Sequence, residues 1–246
     1  MAKKQTPLEA YEANVADART LVAYARAFAN QRTRAMRKEW RERVGDAFRI
    51  PGYQRDDLDG IESGDLIVVL KPGTPLARSD FDDRQPLLRQ ALVAACAAFE
   101  TYLGDKAMER LAEALWGEEP PTRLQEIPLT VGQWIEIEGK YERKRWGVRA
   151  VVEEHIRVNS STASNKVGEV LSTVGVKNWA AQVDTHRRKK RGETVSDLDA
   201  LTERRNRIAH AADRRGRGRA SLTADEVDRQ LAVIDEVVAA LESIVQ

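Results

Sequence analysis

Cysteine is nearly absent from this chain. Cys96 stands alone among 246 residues, so no internal disulfide framework exists and the composition suits a reducing, cytoplasmic setting. It lies in the apolar run Ala91–Phe99 and reads as a buried spacer, not a nucleophile. That run is the longest apolar stretch, far short of the roughly 20 residues a membrane span needs. No apolar core follows Lys3 and Lys4 to make a signal peptide, so a soluble protein with no membrane contact is expected. Histidine is scarce too: His155, His186 and His210 are the only three. None has a Cys or His partner at ligand spacing, so no zinc site and no cofactor is expected. Glycine (15), proline (8) and aromatics (6%) are sparse. No P-loop, dinucleotide-binding turn or nucleophile elbow is present.

What the chain has in quantity is Ala, Leu, Glu and Arg in stripes of helical period, which predicts an all-α fold. Residues 6–47 read as one long helix, with Leu8, Tyr11, Val15, Ala18, Val22, Ala25 and Phe28 on one face. Thr6 can cap it, and Pro7 suits its first turn. Past Phe28 the stripe thins to Met36, Trp40, Val44 and Phe48. Residues 49–84 gather Gly and Pro around one β-prone run, Leu66–Leu70, and read as a connector. Four main helices follow, at 85–117, 130–158, 195–213 and 223–245, with a short one near 166–174. The last opens on Thr223-x-x-Glu226, a capping box. Long amphipathic helices with short connections favour an antiparallel bundle. The expected division is a helical extension and connector at 1–84 and a bundle at 85–246.

Net charge is +1, but it is unevenly distributed. Arg187–Arg219 holds twelve basic and five acidic residues, a net of +7, which leaves about −6 for the rest. A basic end on a neutral chain suggests a local anionic partner. Inside it lies Arg205-Asn206-Arg207-Ile208-Ala209-His210. At about 100° per residue, Asn206 and His210 are i, i+4 neighbours on one helix face, whereas Arg205 lies about 140° from His210. Only arginine's length, a local distortion or a second subunit brings both to one phosphate. Imidazole titrates near neutral pH and can move a proton, and guanidinium offers a planar fork to phosphate oxygens. Taken alone, His210 reads better as a helix-end residue, a cation at the negative end of the helix dipole. Arg149 and His155 also satisfy R-x5-H, but nothing else recommends them.

The hexad resembles the R-N-x-x-x-H signature of the HEPN superfamily (higher eukaryotes and prokaryotes nucleotide-binding), most closely the bacterial RiboL-PSP-type branch. The segment Ala97-Ala98-Phe99-Glu100-Thr101-Tyr102-Leu103 is similar to that family's acidic position flanked by aromatics, and a closing helix follows the histidine. The resemblance covers about 85–245. It implies a four-helix HEPN bundle and a metal-independent endoribonuclease acting as a homodimer with two motifs facing across a cleft. Arg205, Asn206, His210 and Glu100 would be its site residues, Glu100 orienting Arg205 or remaining a solvated helix residue. The expected cut is attack of a 2′-hydroxyl on the adjacent phosphate, leaving a 2′,3′-cyclic phosphate and a 5′-hydroxyl. tRNA or mRNA would be the substrate, in a toxin–antitoxin or antiviral defence role restrained by an inhibitory or sensor partner, by conformation or by an infection signal. The alternative is a non-catalytic HEPN module that binds RNA or a protein.

Two basic runs flank the motif. Arg187, Arg188, Lys189, Lys190 and Arg191 precede it; Arg214, Arg215, Arg217 and Arg219 follow on a Gly-spaced segment expected to be mobile. With Arg204 and Arg207 they are the expected RNA-backbone contacts, giving salt-dependent binding. Little aromatic residue interleaves them, so base stacking is not expected, and Trp146 and Trp179 are assigned to the core.

Overall fold

The hydrophobic stripes produce helices nearly everywhere the chain is ordered by pattern. The computed structural model describes residues 5–29, 38–58, 84–216 and 218–245. Its elements are α1 (Pro7–Ala29), α2 (Lys38–Ala47), a 3-10 turn (Gly52–Leu58), α3 (Gln85–Trp116), α4 (Thr122–Gln125), α5 (Val131–Lys140), α6 (Lys144–Asn159), α7 (Ser164–Thr173), α8 (Trp179–His186), α9 (Glu193–Ala211), β1 (Arg214–Arg215), β2 (Gly218–Arg219) and α10 (Ala224–Ile244). The all-α expectation holds, with a single two-residue antiparallel ladder among the described residues, pairing Arg214 with Arg219 and Arg215 with Gly218. No helix among the described residues is long and apolar enough to cross a membrane.

The chain divides into two units. Residues up to Val22 group with Leu87–Gln246, and Ala23–Pro86 form the second. Residues 5–22 therefore group with the bundle, not with an extension ending at 84. Tyr11 shows why. Its ring meets Tyr102 of α3 edge-on at 5.8 Å, and its hydroxyl donates to Asp235 of α10 at 2.6 Å. Arg19 donates to the other Asp235 oxygen at 2.7 Å. Val15, Ala18 and Val22 complete the buried stripe. In the second unit, Arg55 of the 3-10 turn pairs with Glu42 and, at 2.8 Å, with Asp46 of α2. The predicted continuity of 6–47 passes through 30–37, and the β-prone run 66–70 also lies outside the described residues.

Helix α3 is the axis of the larger unit. Leu88, Leu92, Ala95, Phe99, Leu103, Ala107 and Leu111 are sealed at three- and four-residue steps, and each of the Leu and Phe side chains contributes about 1.5–3 kcal/mol on burial. Tyr102 donates to Glu242 of α10 at 2.8 Å, which satisfies its hydroxyl inside the core. Helix α10 starts where expected: Thr223 accepts from the Glu226 amide, and Glu226 accepts from the Thr223 amide. The predicted helix 130–158 is two helices. Thr130 caps the first through a reciprocal box with Gln133, and the chain opens at Tyr141. There Gly147 of α6 packs so closely on Ile137 and Tyr141 that a Cβ would fall within 2.6 Å of Ile137. Trp146 is half-exposed, at 51%, so it is not a core residue; Trp179 is.

Candidate active site

Helix α9 carries the hexad, and its two halves differ. Thr194, Leu198 and Leu201 are buried in its first half. Past Leu201 the apolar stripe thins to half-buried Ile208, while Glu203, Asn206, Arg207, Ala209 and His210 face solvent. The N-terminal end is fixed from outside the helix. Asp184 of α8, only 3% exposed, accepts from the Gly192 and Thr194 amides at 2.7 and 2.9 Å. Burial pushes its carboxyl up, but the hydroxyl and amide of Thr194, the Gly192 amide and the Arg187 guanidinium outweigh this and hold it below the ordinary range.

Arg205 and Glu100 meet. The guanidinium pairs with Glu100 Oε1 of α3, both side chains being about three-quarters shielded. The same oxygen accepts from the Thr162 amide at 3.2 Å, and Thr202 donates to Thr162 Oγ1 at 3.0 Å. Glu100 of α3, itself held by the Thr162 amide, therefore fixes the direction of the Arg205 guanidinium. The Cys96 thiol adjoins this cluster, fully buried. Burial pushes it up to about 12, with the Arg205 guanidinium acting in the opposite direction. It is a spacer, as expected.

Asn206 and His210 are exposed one turn apart. Among the described residues, neither side chain has a hydrogen-bond or ion-pair partner. No three His, Cys, Asp or Glu side chains among the described residues are grouped to hold a metal ion. Arg149 is occupied by Glu153 at 2.6 Å, and His155 lies 3.8 Å from Glu169. That second R-x-H pair makes no comparable arrangement.

The basic residues divide into three groups. Arg187 is not a phosphate contact: its side chain is fully enclosed, donating to Thr194 at 2.8 Å and bridging Asp197 and Glu236 at 2.9 and 3.0 Å. Arg204 is also spent inside, pairing with buried Asp213 at 2.9 Å and donating to the Ser221 carbonyl at 3.1 Å. Arg188, Lys189, Lys190 and Arg191 are exposed on the α8–α9 loop, where Lys189 faces Glu193 at 3.4 Å, and Arg207 faces Glu203 at 3.0 Å. Arg214, Arg215 and Arg219 are exposed on β1 and β2 with no carboxylate partner among the described residues. Arg217 lies outside the described residues. The Gly-spaced run, expected to be mobile, pairs Arg214 with Arg219 and Arg215 with Gly218.

Sequence reasoning missed Asp213 and Arg89. Asp213 is 1% exposed, and Arg89 reaches it from α3 across 124 positions at 3.4 Å. No local spacing announces such a pair. No family model, curated protein or solved structure matches this chain.

Proposed function

We propose that this chain is a metal-independent endoribonuclease of HEPN type, built on a four-helix HEPN core and working as a homodimer. The observation that carries the reading is the pairing of Arg205 with Glu100 on α3, next to an exposed Asn206 and five residues before an exposed His210, neither with a side-chain partner among the described residues. In the reaction a 2′-hydroxyl attacks the adjacent phosphorus while the bond to the 5′-oxygen breaks. His210 takes the hydroxyl proton or returns one to the leaving oxygen. Arg205 stabilises the charge gathering on the phosphorane oxygens, and Asn206 orients the imidazole or the RNA backbone. The products are a 2′,3′-cyclic phosphate and a 5′-hydroxyl. The roughly 140° between Arg205 and His210 around one helix favours a site shared by two subunits. By the same resemblance, the protein acts on tRNA or mRNA as a toxin or antiviral effector and is restrained by an inhibitory or sensor partner.

The test is cleavage of tRNA and total RNA by purified protein in EDTA, beside His210→Ala, Arg205→Ala and an all-deoxy substrate. Wild type is expected to cut RNA and leave DNA intact. Loss of the histidine should lower the rate about 10²–10⁴-fold. Identical RNA profiles for wild type and both variants would sink the nuclease reading. That outcome would support the second reading, a non-catalytic HEPN module that binds RNA or a protein, which the exposed Arg214, Arg215 and Arg219 would also serve.

A further inference from the structure

Two consecutive non-glycine residues leave α9 in the left-handed region: Ala212 at φ 49° and Asp213 at φ 56°. Each such conformation costs on the order of 1–2 kcal/mol for a residue with a Cβ, so something nearby must hold the turn. The Asp213 amide folds back onto the Arg207 carbonyl at 2.8 Å, and the Ala220 amide donates to the Asp213 carbonyl at 2.8 Å. Its carboxylate is enclosed between two arginines from different helices, Arg204 of α9 at 2.9 Å and Arg89 of α3 at 3.4 Å. Those arginines also hold the returning strand: Arg89 donates to the Ala220 carbonyl and Arg204 to the Ser221 carbonyl, each at 3.1 Å. Both ends of the hairpin are thus tied to α3 and α9 through one buried carboxylate.

The hairpin presents cations and little else. Arg214, Arg215 and Arg219 are exposed and free of carboxylates among the described residues. Arg214 is four residues from His210, at most about 14 Å along the backbone. Guanidinium groups present a planar fork to phosphate oxygens, and contacts of that kind position a nucleic acid without reading its sequence.

We propose that Asp213 is a positioning residue that docks β1 and β2 beside His210 as a fixed clamp for the RNA backbone, with Arg214, Arg215 and Arg219 taking phosphates irrespective of sequence. The role rests on the ribonuclease reading for the identity of its ligand, but its test does not require cleavage. Arg89 and Arg204 are then part of the anchor, not of the RNA surface.

The experiment measures binding of the full-length protein to a mixed-sequence 2′-O-methyl RNA 20-mer, which 2′-hydroxyl attack cannot cut, between 50 and 200 mM NaCl. Each lost single-strand phosphate contact lowers the slope of log K against log salt by about 0.7, so Arg214→Gln/Arg215→Gln/Arg219→Gln should lower it by about 2. Asp213→Asn is expected to weaken binding about tenfold at 100 mM salt and to reduce the slope by about 1 or more. Added to the triple variant, it should cause no further loss, because it acts only through those arginines. A merely structural lesion would lower affinity in both backgrounds and would overturn the proposal. So would an unchanged slope in Asp213→Asn, or salt-insensitive binding by wild type. Should Asp213→Asn fail to fold, Arg89→Lys, which keeps the charge but loses the fork to Asp213 and Ala220, supplies the same comparison. If the clamp behaves as stated while RNA remains uncut in the cleavage assay, the nuclease reading alone fails.

Discussion

Arg205 and Cys96 lie in one cluster yet call for opposite expectations. Glu100 and Arg205 each keep between a fifth and a quarter of the side chain in solvent, which screens the pairing and leaves it worth on the order of 1 kcal/mol to the fold. Its worth to catalysis is larger if it sets where the guanidinium points, because a misplacement of about 1 Å can cost about 10²-fold. Glu100→Gln is therefore expected to reduce RNA cleavage at least tenfold while shifting the melting temperature little. Equal turnover in variant and wild type would reduce Glu100 to an ordinary helix residue. Cys96 is the opposite case. Fully buried, with its thiol pushed up to about 12, it holds almost no thiolate at neutral pH. A disulfide reagent should label it only in denaturant, and rapid labelling of the native protein would show that the α3 core opens.

Caps and long-range anchors decide where helices begin and end, and the two were unequally visible in the sequence. Asp184 holds the start of α9 by accepting two amides, so Asp184→Ala should cost about 1–3 kcal/mol in urea unfolding. Its carboxyl lies below the ordinary range in the folded protein. The linked stability is therefore present above the unfolded value near 3.9 and is lost as pH falls through the lower folded value. The gap between wild type and Asp184→Asn should accordingly shrink once the pH drops below about 4. A gap that stays constant in acid would mean the charge contributes nothing. Helices α3 and α10 were legible nearly to the residue because their stripes are long and Thr223 with Glu226 marks a start within four positions. The break at Tyr141 was not, since Ile137 and Gly147 interlock across it while the apolar pattern runs on through both helices. Arg187 misled for a related reason. In a run of five cations it reads as solvent-facing, and only Asp197 and Glu236, ten and forty-nine positions away, reveal it as enclosed. The Glu100–Arg205 pair spans 105 positions; it was anticipated through the family motif, whereas Asp213 with Arg89 had no motif to point to it.

At the scale of the whole molecule, the arrangement of α9 makes a claim about subunits. Arg205 is turned onto α3 and His210 faces solvent from the last turn, so a single chain presents the two groups in different directions. A two-fold axis passing near the exposed half of α9 would bring the Arg205 of one protomer toward the His210 of the other, the same patch meeting itself. Arg205→Ala and His210→Ala, each inactive alone, should then restore one another when mixed under conditions that exchange subunits. Random pairing makes about half the dimers mixed, each with one complete Arg–His combination of two, so about a quarter of wild-type activity is expected. Sedimentation of the same mixture checks that dimers form. Recovery without dimers is impossible on this scheme, and dimers without recovery would mean that each active centre takes both residues from one chain. In that case Arg205 must leave Glu100 to reach the phosphate, and Glu100→Gln should then raise turnover instead of lowering it.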